Sequence, residues 1–327
     1  MSQKLVLFFL FVFSISSSFA SNAIDHAPIG VMGDHYHKTN ERMISIRYST
    51  MQMEGNSLHN NSISDQEIIT NQVNPFASMS GAPSYLSVVP QKMDMQMIMI
   101  GGMYAYSDNL TYMGMAMFMK NKMTSNTYKG GMDRAYLGNF QTSLDDLSNF
   151  SFSGLYKLVE KNDNRWHLEL GIDKSIGKNN NQGLMLTPMN TYMKMTMPYP
   201  MQMDESTRLI TALTNSKNFD GLVFGSQIKK YSVIEKEDWS FGDKLEISSW
   251  LQKLFDDSLS YSIRLLFTKE QNLSGSSSEI KSPVQSANPL NYGGSELEFG
   301  LGVNKIFKFF QKEHIRLGIE YLSLIHI

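Results

Sequence analysis

Residues 92–123 read KMDMQMIMIGGMYAYSDNLTYMGMAMFMKNKM. Methionine occupies alternate positions through most of both halves, and the halves are separated by Ser107-Asp108-Asn109, residue types that favour tight turns. A period of two indicates β-strands, in which alternate side chains project from opposite faces. The stretch therefore predicts a β-hairpin with one methionine-rich face and one face of aromatic and aliphatic residues.

The same alternation recurs along the chain. It predicts eleven strands, at 41–53, 93–106, 110–123, 147–159, 165–176, 207–215, 219–231, 243–254, 258–270, 294–308 and 313–325. Short connections alternate strictly with long polar ones, among them 54–92, 124–146 and 177–206. A transmembrane β-barrel with short periplasmic turns and long extracellular loops has this arrangement. The alternative is a soluble β protein, which has no reason to keep its long loops at one end.

The first twenty residues, MSQKLVLFFLFVFSISSSFA, combine Lys4, an apolar run and small residues before Ala20. This order predicts a secretory signal peptide at 1–20. The alternative is an uncleaved anchor, although the run is short for about 30 Å of hydrocarbon. Three parts follow from this division: the signal peptide, a periplasmic N-terminal His/Met arm at 21–40, and an outer-membrane β-barrel at 41–327.

Eleven strands conflict with the even strand number of single-chain bacterial barrels. We therefore expect an all-β fold, a transmembrane antiparallel up-and-down β-barrel of about twelve strands, with the last strand missing from this C-terminally truncated chain. The alternative is an uncounted strand, for example within 60–90. Such a barrel lies in the cell outer membrane, and its expected partners are the lipid bilayer, periplasmic chaperones and the barrel-assembly machinery.

Composition excludes several functions. The chain has 29 basic and 31 acidic residues, a net charge of −2, so nucleic acid is not an expected partner. It has no cysteine, which excludes disulfides and thiolate metal sites. Phosphate-binding loops, the serine-hydrolase elbow and the HExxH zinc motif do not occur in the sequence. We expect no enzyme, no catalytic residue and no resident cofactor, with Cu(I) the one candidate metal.

The turn at 107–109 decides where the methionines point. A three-residue turn makes the numbers of paired residues sum to 216 and brings both methionine rows to one face, whereas a two-residue turn would separate them. We expect that face to line the lumen. The lumen-lining candidates are Met93, Met95, Met97, Met99, Met103, Met113, Met115, Met117 and Met119. The alternative is that methionine serves as adaptable packing or lipid-facing filler.

Other methionines and histidines extend this chemistry. A second set, at 193–203, could fold into or over the barrel mouth. Imidazole and thioether side chains together suit soft ions such as Cu(I) and Ag(I). The candidate metal ligands are His26, Met32, His35, His37, Met97, Met99, Met117 and Met119. The alternative for the first four is a structural arm in the periplasmic mouth.

Residues 26–37 read HAPIGVMGDHYH and residues 45–48 read SIRY. These stretches, together with MYA at 103–105, SGLY at 153–156 and PYPMQ at 198–202, resemble a bacterial outer-membrane family described as "transporter" or putative meta-pathway phenol-degradation protein. The resemblance implies an outer-membrane barrel associated with aromatic catabolism. It also implies a further strand after the position matching Tyr321, and it assigns no catalytic residue.

The function expected from the sequence is an outer-membrane pore or transporter for small solutes, including hydrophobic or aromatic compounds. The first alternative is a protein that binds Cu(I) or Ag(I), or serves their export, through methionine and histidine. The second alternative is a structural barrel without transport.

Overall fold

The computed structural model describes residues 8–17, 22–58, 61–310 and 313–325. Its strands are β1 Phe8–Ser17, β2 Arg42–Glu54, β3 Asn56–Leu58, β4 Asn61–Ile63, β5 Val88–Ser107, β6 Leu110–Tyr128, β7 Tyr136–Lys161, β8 Asn164–Ser175, β9 Gln182–Leu186, β10 Tyr192–Thr196, β11 Thr207–Asn218, β12 Leu222–Glu235, β13 Trp239–Ser240, β14 Lys244–Asp256, β15 Leu259–Glu270, β16 Ser274–Gly275, β17 Gly294–Phe310 and β18 Glu313–Ile325. One α-helix, α1, spans Asp65–Asn71, and 3-10 turns lie at Tyr199–Met201, Gln285–Ala287 and Pro289–Asn291. Within these ranges the structure has no helix with the length and hydropathy of a membrane span.

Twelve of the described strands close into one antiparallel barrel, in the order β1, β18, β17, β15, β14, β12, β11, β8, β7, β6, β5, β2. The predicted all-β barrel class and its eleven strands are confirmed. The predicted loop at 124–146 is wrong, because β6 and β7 stay paired as far as Tyr128 and Tyr136 and leave only 129–135 as a connection. Strands β5, β6 and β7 therefore extend well beyond their neighbours at the long-loop end.

The sheet closes at the place where the sequence predicts a missing strand. Strand β1 pairs with β18, from Phe8 opposite Leu322, and with β2, ending with Ser17 opposite Arg42. This strand falls within the predicted signal peptide. An apolar β-prone run can occupy this place because the edges of β2 and β18 would otherwise hold unpaired backbone groups in hydrocarbon.

The barrel wall has an aliphatic outer face and a polar inner face. On β2 the exposed Ile44 and Ile46 alternate with the buried Ser45 and Arg47. The sequence HLELGID at 167–173 shows the same division on β8, with its leucines exposed and its histidine and glutamate buried. A closed barrel with so large an apolar outer surface satisfies its backbone and its side chains together only in a membrane.

Exposed aromatic side chains lie beside the short turns, as expected of a girdle at the membrane interface. They are Tyr104, Tyr106, Tyr112, Tyr156, Phe255, Tyr261 and Phe307. The side chains of Phe309 and Phe310 lie outside the described part. Trp250, another aromatic residue close to a short turn, is not part of this girdle, because it faces inward and packs against Ala27 and Val31.

The register between β5 and β6 is the predicted one, but a two-residue turn and a bulge produce it in place of the predicted three-residue turn. Met99 pairs with Met117 and Met97 with Met119, so the paired numbers sum to 216. The turn itself has two residues, because Ser107 pairs with Leu110. A bulge at Tyr106 then adds the residue that restores the sum to 216.

Candidate functional site

Residues 22–40, here called the plug, connect the short-turn end of β1 to β2 and fold into the barrel interior. The Ala23 carbonyl oxygen accepts hydrogen bonds from Gln252 Nε2 at 2.9 Å and from Ser260 Oγ at 3.1 Å. These partners lie on β14 and β15 near their short turn. The N-terminal arm predicted from sequence is thus an internal element of the barrel.

The middle of the plug is fitted closely to the opposite wall. Gln227 Nε2 donates to the Met32 carbonyl oxygen at 3.0 Å, and His167 Nε2 donates to the Gly33 carbonyl oxygen at 2.8 Å. Gly33 has a φ of 67°, and a Cβ there would lie 2.7 Å from Glu169 Oε2. Glycine is therefore required at this position both by the backbone conformation and by the approach of the wall.

Two pairs of oppositely charged side chains are buried on the inner wall. Lys229 Nζ lies 3.0 Å from Glu169 Oε2, and Arg264 Nε lies 2.7 Å from Glu320 Oε1. Such groups remain inside a protein only when they are paired and hydrogen-bonded. They define a polar part of the lumen, against which the plug is seated.

Two wall arginines contact the plug directly: Arg316 donates to the Ala27 carbonyl oxygen, and Arg47 donates to Met32 Sδ. Neither these arginines nor the buried pairs are predicted from the sequence. A signal was present in the sequence RLGIEYL at 316–322, where charged residues take the alternate positions that an aliphatic outer face leaves for the lumen.

Three histidines and a carboxylate meet within the plug. The Nδ1 atoms of His26 and His35 are 3.4 Å apart, and His35 Nδ1 is 2.9 Å from Asp34 Oδ1. His35 Nε2 is 3.2 Å from His37 Nε2. His37 Nδ1 in turn lies 3.4 Å from Glu41 Oε2. These residues form one connected cluster, here called the histidine cluster.

Burial sets the charge of this cluster. It lowers the pKa of His26 well below its ordinary value, with a further contribution from His35. Burial also lowers the pKa of His37. For Asp34, burial acts to raise the pKa, but the neighbouring His35 outweighs it and the pKa is lowered. At neutral pH, the cluster therefore contains an ionised Asp34 with neutral His26 and His37.

The predicted metal ligands of the plug are brought together in part. His26, His35 and His37 are in one cluster, whereas Met32 is engaged by Arg47. Asp34 was not a predicted ligand, and it supplies an oxygen where the prediction had a sulfur. Ligand atoms of His26, Asp34 and His35 all lie within 4.8 Å of one another.

The methionines of β5 and β6 form a row along the interior, here called the methionine track. Six of its side chains are partly exposed on the side opposite the lipid-facing Ile98 and Phe118; they are Met95, Met97, Met99, Met115, Met117 and Met119. At the short-turn end, Met103 and Met113 are buried with Met43 and Leu155. The partly exposed members border open volume inside the barrel.

At its outer end the track joins a buried methionine cluster. Met93 and Met123 pack against three residues that the chain brings inward between β10 and β11, which are Met197, Met201 and Met203. The expectation that the second methionine set folds into the mouth is confirmed for these three. Met195 borders the cavity at this end, and Met193 is half exposed on the hairpin of β9 and β10.

An apolar cavity opens beside this cluster at the long-loop end. It has a volume of about 50 Å³, and its walls include Val88, Met123, Phe140, Met185, Met195 and Val284. Met123 lines the cavity and also belongs to the buried methionine cluster. The cavity and the outer end of the methionine track therefore share a wall.

The long loops stabilise this mouth through an aromatic core. The Tyr199 ring packs edge-on against Trp239 at a centroid distance of 4.8 Å and against Tyr292 at 5.7 Å. Tyr199 Oη accepts a hydrogen bond of 3.0 Å from the Ser277 N–H. Burial raises the pKa of Tyr199, so the phenol remains protonated at physiological pH.

Comparisons with known proteins complete the description. No protein-family model matches the sequence, and no curated protein matches it either. Among solved structures, the chain is similar to an outer-membrane channel from Pseudomonas putida F1, with a TM-score of 0.42 and 10% identity over 99% of this chain and 97% of that one. It is also similar to a FadL homologue of Pseudomonas aeruginosa, with a TM-score of 0.41 and 9% identity over 99% and 90% of the two chains.

A third similar structure is the toluene transporter TodX of Pseudomonas putida, with a TM-score of 0.36 and 9% identity over 99% of this chain and 90% of that one. The function proposed below rests on the geometry of the present chain.

Proposed function

We propose that the protein is an outer-membrane channel for small apolar solutes, including aromatic compounds. The observation that supports this proposal most directly is the continuous apolar surface inside the barrel. It begins at the cavity under the long loops, passes Met123, follows the methionine track and ends at Met103 and Met113 beside the plug. Thioether side chains are flexible and polarizable, so such a wall accommodates solutes of differing shape.

The division of the lumen supports the same function. Apolar side chains occupy the β5–β6 wall, whereas the wall facing the plug contains buried ion pairs. A Cβ on Gly33 of the plug would lie 3.6 Å from Met113 Cε, so the plug reaches the inner end of the track. A solute that follows the track therefore meets the plug before it can enter the periplasm, and passage requires the plug to shift. This is a transport function rather than a catalytic one.

The test is uptake of naphthalene by intact cells that produce the protein, followed by fluorescence. Met99→Gln combined with Met117→Gln places amides on the track, and we expect uptake to fall several-fold. The matched control is Met99→Leu with Met117→Leu, which retains apolar volume and should retain uptake. Equal naphthalene uptake in cells with and without the protein contradicts a channel and leaves a structural barrel.

The soft-metal alternative requires imidazole and thioether ligands at one point. Met32 is the only methionine between residues 22 and 40, and its sulfur accepts from Arg47. The arrangement therefore favours solute transport over binding or export of Cu(I) or Ag(I). Refolded protein that binds Cu(I) through Met97, Met99, Met117 and Met119, and loses it on their replacement by leucine, would reverse this preference.

Residues 1–20 are proposed to direct export as a signal peptide, and the barrel to reach the outer membrane through periplasmic chaperones and the assembly machinery. The aliphatic outer face and the short-turn girdle support this location. The test is fractionation, in which the protein should remain with outer membranes after carbonate extraction. Recovery in the soluble periplasmic fraction would contradict it.

A further inference from the structure

We propose that the plug holds a divalent metal ion of Zn²⁺ type on His26 Nδ1, His35 Nδ1 and Asp34 Oδ1. The two Nδ1 atoms are 3.4 Å apart, and all three ligand atoms lie within 4.8 Å of one another. Zinc binds imidazole nitrogen at about 2.0–2.1 Å, and two such ligands in a tetrahedron are roughly 3.4 Å apart. The observed separation of the two nitrogens therefore matches one edge of a tetrahedral site.

Hydrogen-bond donors and acceptors in the cluster do not match when all three histidines are neutral. A neutral imidazole has one N–H and one acceptor nitrogen. If His35 donates from Nδ1 to Asp34, its Nε2 accepts from His37. The remaining lone pair of His37, on Nδ1, then faces the Glu41 carboxylate 3.4 Å away. In that tautomer, His37 Nδ1 and the Glu41 carboxylate are two acceptors that face each other without a proton between them.

In the other neutral tautomer of His35, two acceptors face each other on the Asp34 side instead. If His35 donates from Nε2 to His37, then His37 donates from Nδ1 to Glu41. The lone pair of His35 Nδ1 now faces Asp34 Oδ1 at 2.9 Å. A second proton on His35 would remove this conflict, because both ring nitrogens would then donate. A cation between Asp34 Oδ1, His35 Nδ1 and His26 Nδ1 removes it as well, and it also uses the His26 nitrogen as a ligand.

The surroundings hold the ligands in this arrangement. Asp34 Oδ2 accepts a hydrogen bond of 2.7 Å from the Ala27 N–H, which leaves Oδ1 directed at the histidines. A metal-bound histidine commonly donates its second N–H to a neighbouring acceptor, which fixes its tautomer and ring orientation. His37 and Glu41 are in that relationship to His35, and they are positioning residues rather than ligands.

The donor set selects the class of ion. Two imidazole nitrogens and a carboxylate oxygen suit Zn²⁺ and similar borderline divalent ions, whereas Cu(I) and Ag(I) favour sulfur. An ion at this point joins residue 26 to residues 34 and 35 and so closes a loop within the plug. Metal binding therefore stabilises the folded plug, whether or not the channel carries apolar solutes.

The experiment uses the full chain refolded in detergent and stripped with EDTA. Titration with ZnCl₂ against a chromophoric chelator should give one Zn²⁺ per chain. His26→Gln and His35→Gln should weaken binding at least 100-fold, and His37→Gln by about 10- to 100-fold. The matched control is His314→Gln on β18, outside the plug, which should bind as the wild type does.

Two further readouts separate a lost site from a lost fold. Heat-modifiable gel migration should be unchanged in all four variants, since none alters the barrel strands' outer face or the buried ion pairs. Co²⁺ bound to the wild type should give the intense visible absorption of a tetrahedral site, and His37→Gln should shift those bands while retaining the metal. Absence of stoichiometric Zn²⁺ binding by the wild type, or unchanged affinity in folded His35→Gln, would overturn the proposal.

Discussion

The backbone N–H of Gly30 donates a hydrogen bond of 2.8 Å to Glu320 Oε2, across the boundary between plug and barrel wall. The same carboxylate pairs with Arg264, which lies on the inner face of β15. Glu320 is almost completely buried, so both contacts help to stabilise its carboxylate inside the lumen. Movement of the plug therefore removes one partner of a buried anion.

A larger side chain at position 30 should displace the plug. A Cβ on Gly30 would overlap the Arg264 guanidinium and lie 2.5 Å from Glu320 Oε2. We expect Gly30→Val to raise single-channel conductance and to speed protease cleavage within residues 22–40. Gly131→Val is the control, since a Cβ there meets no atom within 4 Å. Wild-type conductance in Gly30→Val would show that the plug does not restrict the lumen.

Breaking one buried ion pair should destabilise the barrel much more than breaking an exposed one. The side chains of Lys229 and Glu169 are 4% and 0% exposed. Glu169→Gln leaves an unpaired buried ammonium, and we expect the free energy of unfolding in urea to fall by about 3–5 kcal/mol. Replacing both residues, with Lys229→Met added, should recover part of that loss.

The exposed control is the pair of Lys120 and Asp145, 50% and 77% exposed. Lys120→Ala should change the free energy of unfolding by less than about 1 kcal/mol. Similar losses in Glu169→Gln and Lys120→Ala would mean that water reaches the inner pair.

Removing the central aromatic ring of the loop core should loosen the outer mouth. Tyr199→Ala empties the space beside Trp239 and Tyr292, and large-to-small changes of aromatic core residues cost about 3–5 kcal/mol. We expect faster amide hydrogen exchange in 239–241 and 285–292, with the barrel strands unchanged. Tyr192→Ala, at a half-exposed position, should leave exchange unaltered. Unchanged exchange in both variants would contradict the role given to Tyr199.

The end of the plug should show a defined pH dependence. Asp108, in the turn between β5 and β6, accepts hydrogen bonds from the Thr39 hydroxyl at 2.6 Å and from the Thr39 N–H at 2.9 Å. These bonds lower the pKa of Asp108 below its ordinary value of 3.8. The stabilisation is therefore complete above that value and is lost as pH falls through the lowered pKa.

An NMR titration of the protein in micelles tests this directly. We expect the Thr39 amide shift to have its midpoint below pH 3.8 and Thr39→Val to move the Asp108 midpoint upward. A wild-type midpoint at or above the ordinary value would contradict the contact.

The first residue of the membrane-inserted protein shows whether β1 is removed with the signal peptide or retained in the barrel. Signal-peptide cleavage predicts a mature chain beginning at Ser21, and mass spectrometry of outer-membrane protein should find that terminus. Cleavage would release the edges of β2 and β18 that β1 joins in the structure. Recovery of peptides containing Phe8–Ser17 from the inserted protein would instead show that this strand is retained.

Most of the barrel could be predicted from sequence because the alternation of residue types within each strand shows which side chains face outward and which face the lumen. In RLGIEYL, the alternation of Arg316, Gly318 and Glu320 with apolar residues identifies a strand and assigns its inner face without reference to any neighbour. Strand ends at the long-loop side were harder to predict. Polar residues of 124–146 look like a loop, yet they remain paired in strands that continue past their neighbours, and alternate side chains such as Thr127, Phe140 and Leu144 are buried on one face.

The site was predictable in its parts and not in its assembly. His26 and His35 are close in sequence, so their proximity could be predicted. The entry of their segment into the barrel depends instead on contacts such as those of Gly33 with His167 and Glu169. Those residues are separated by more than a hundred positions in sequence. No periodicity encodes such a contact, so Arg47 and Asp34 were not assigned roles from sequence.

The bulge at Tyr106 determines the chemistry of a whole wall. If Tyr106 were paired instead of bulged, the pairing of Ser107 with Leu110 would continue along β5 and β6, and numbers summing to 217 would pair Met99 with Phe118. One methionine row would then face lipid, and aromatic rings would enter the lumen in its place. The same sequence thus allows two different linings of this wall, and the choice between them depends on whether one residue is left out of the hydrogen-bonded ladder.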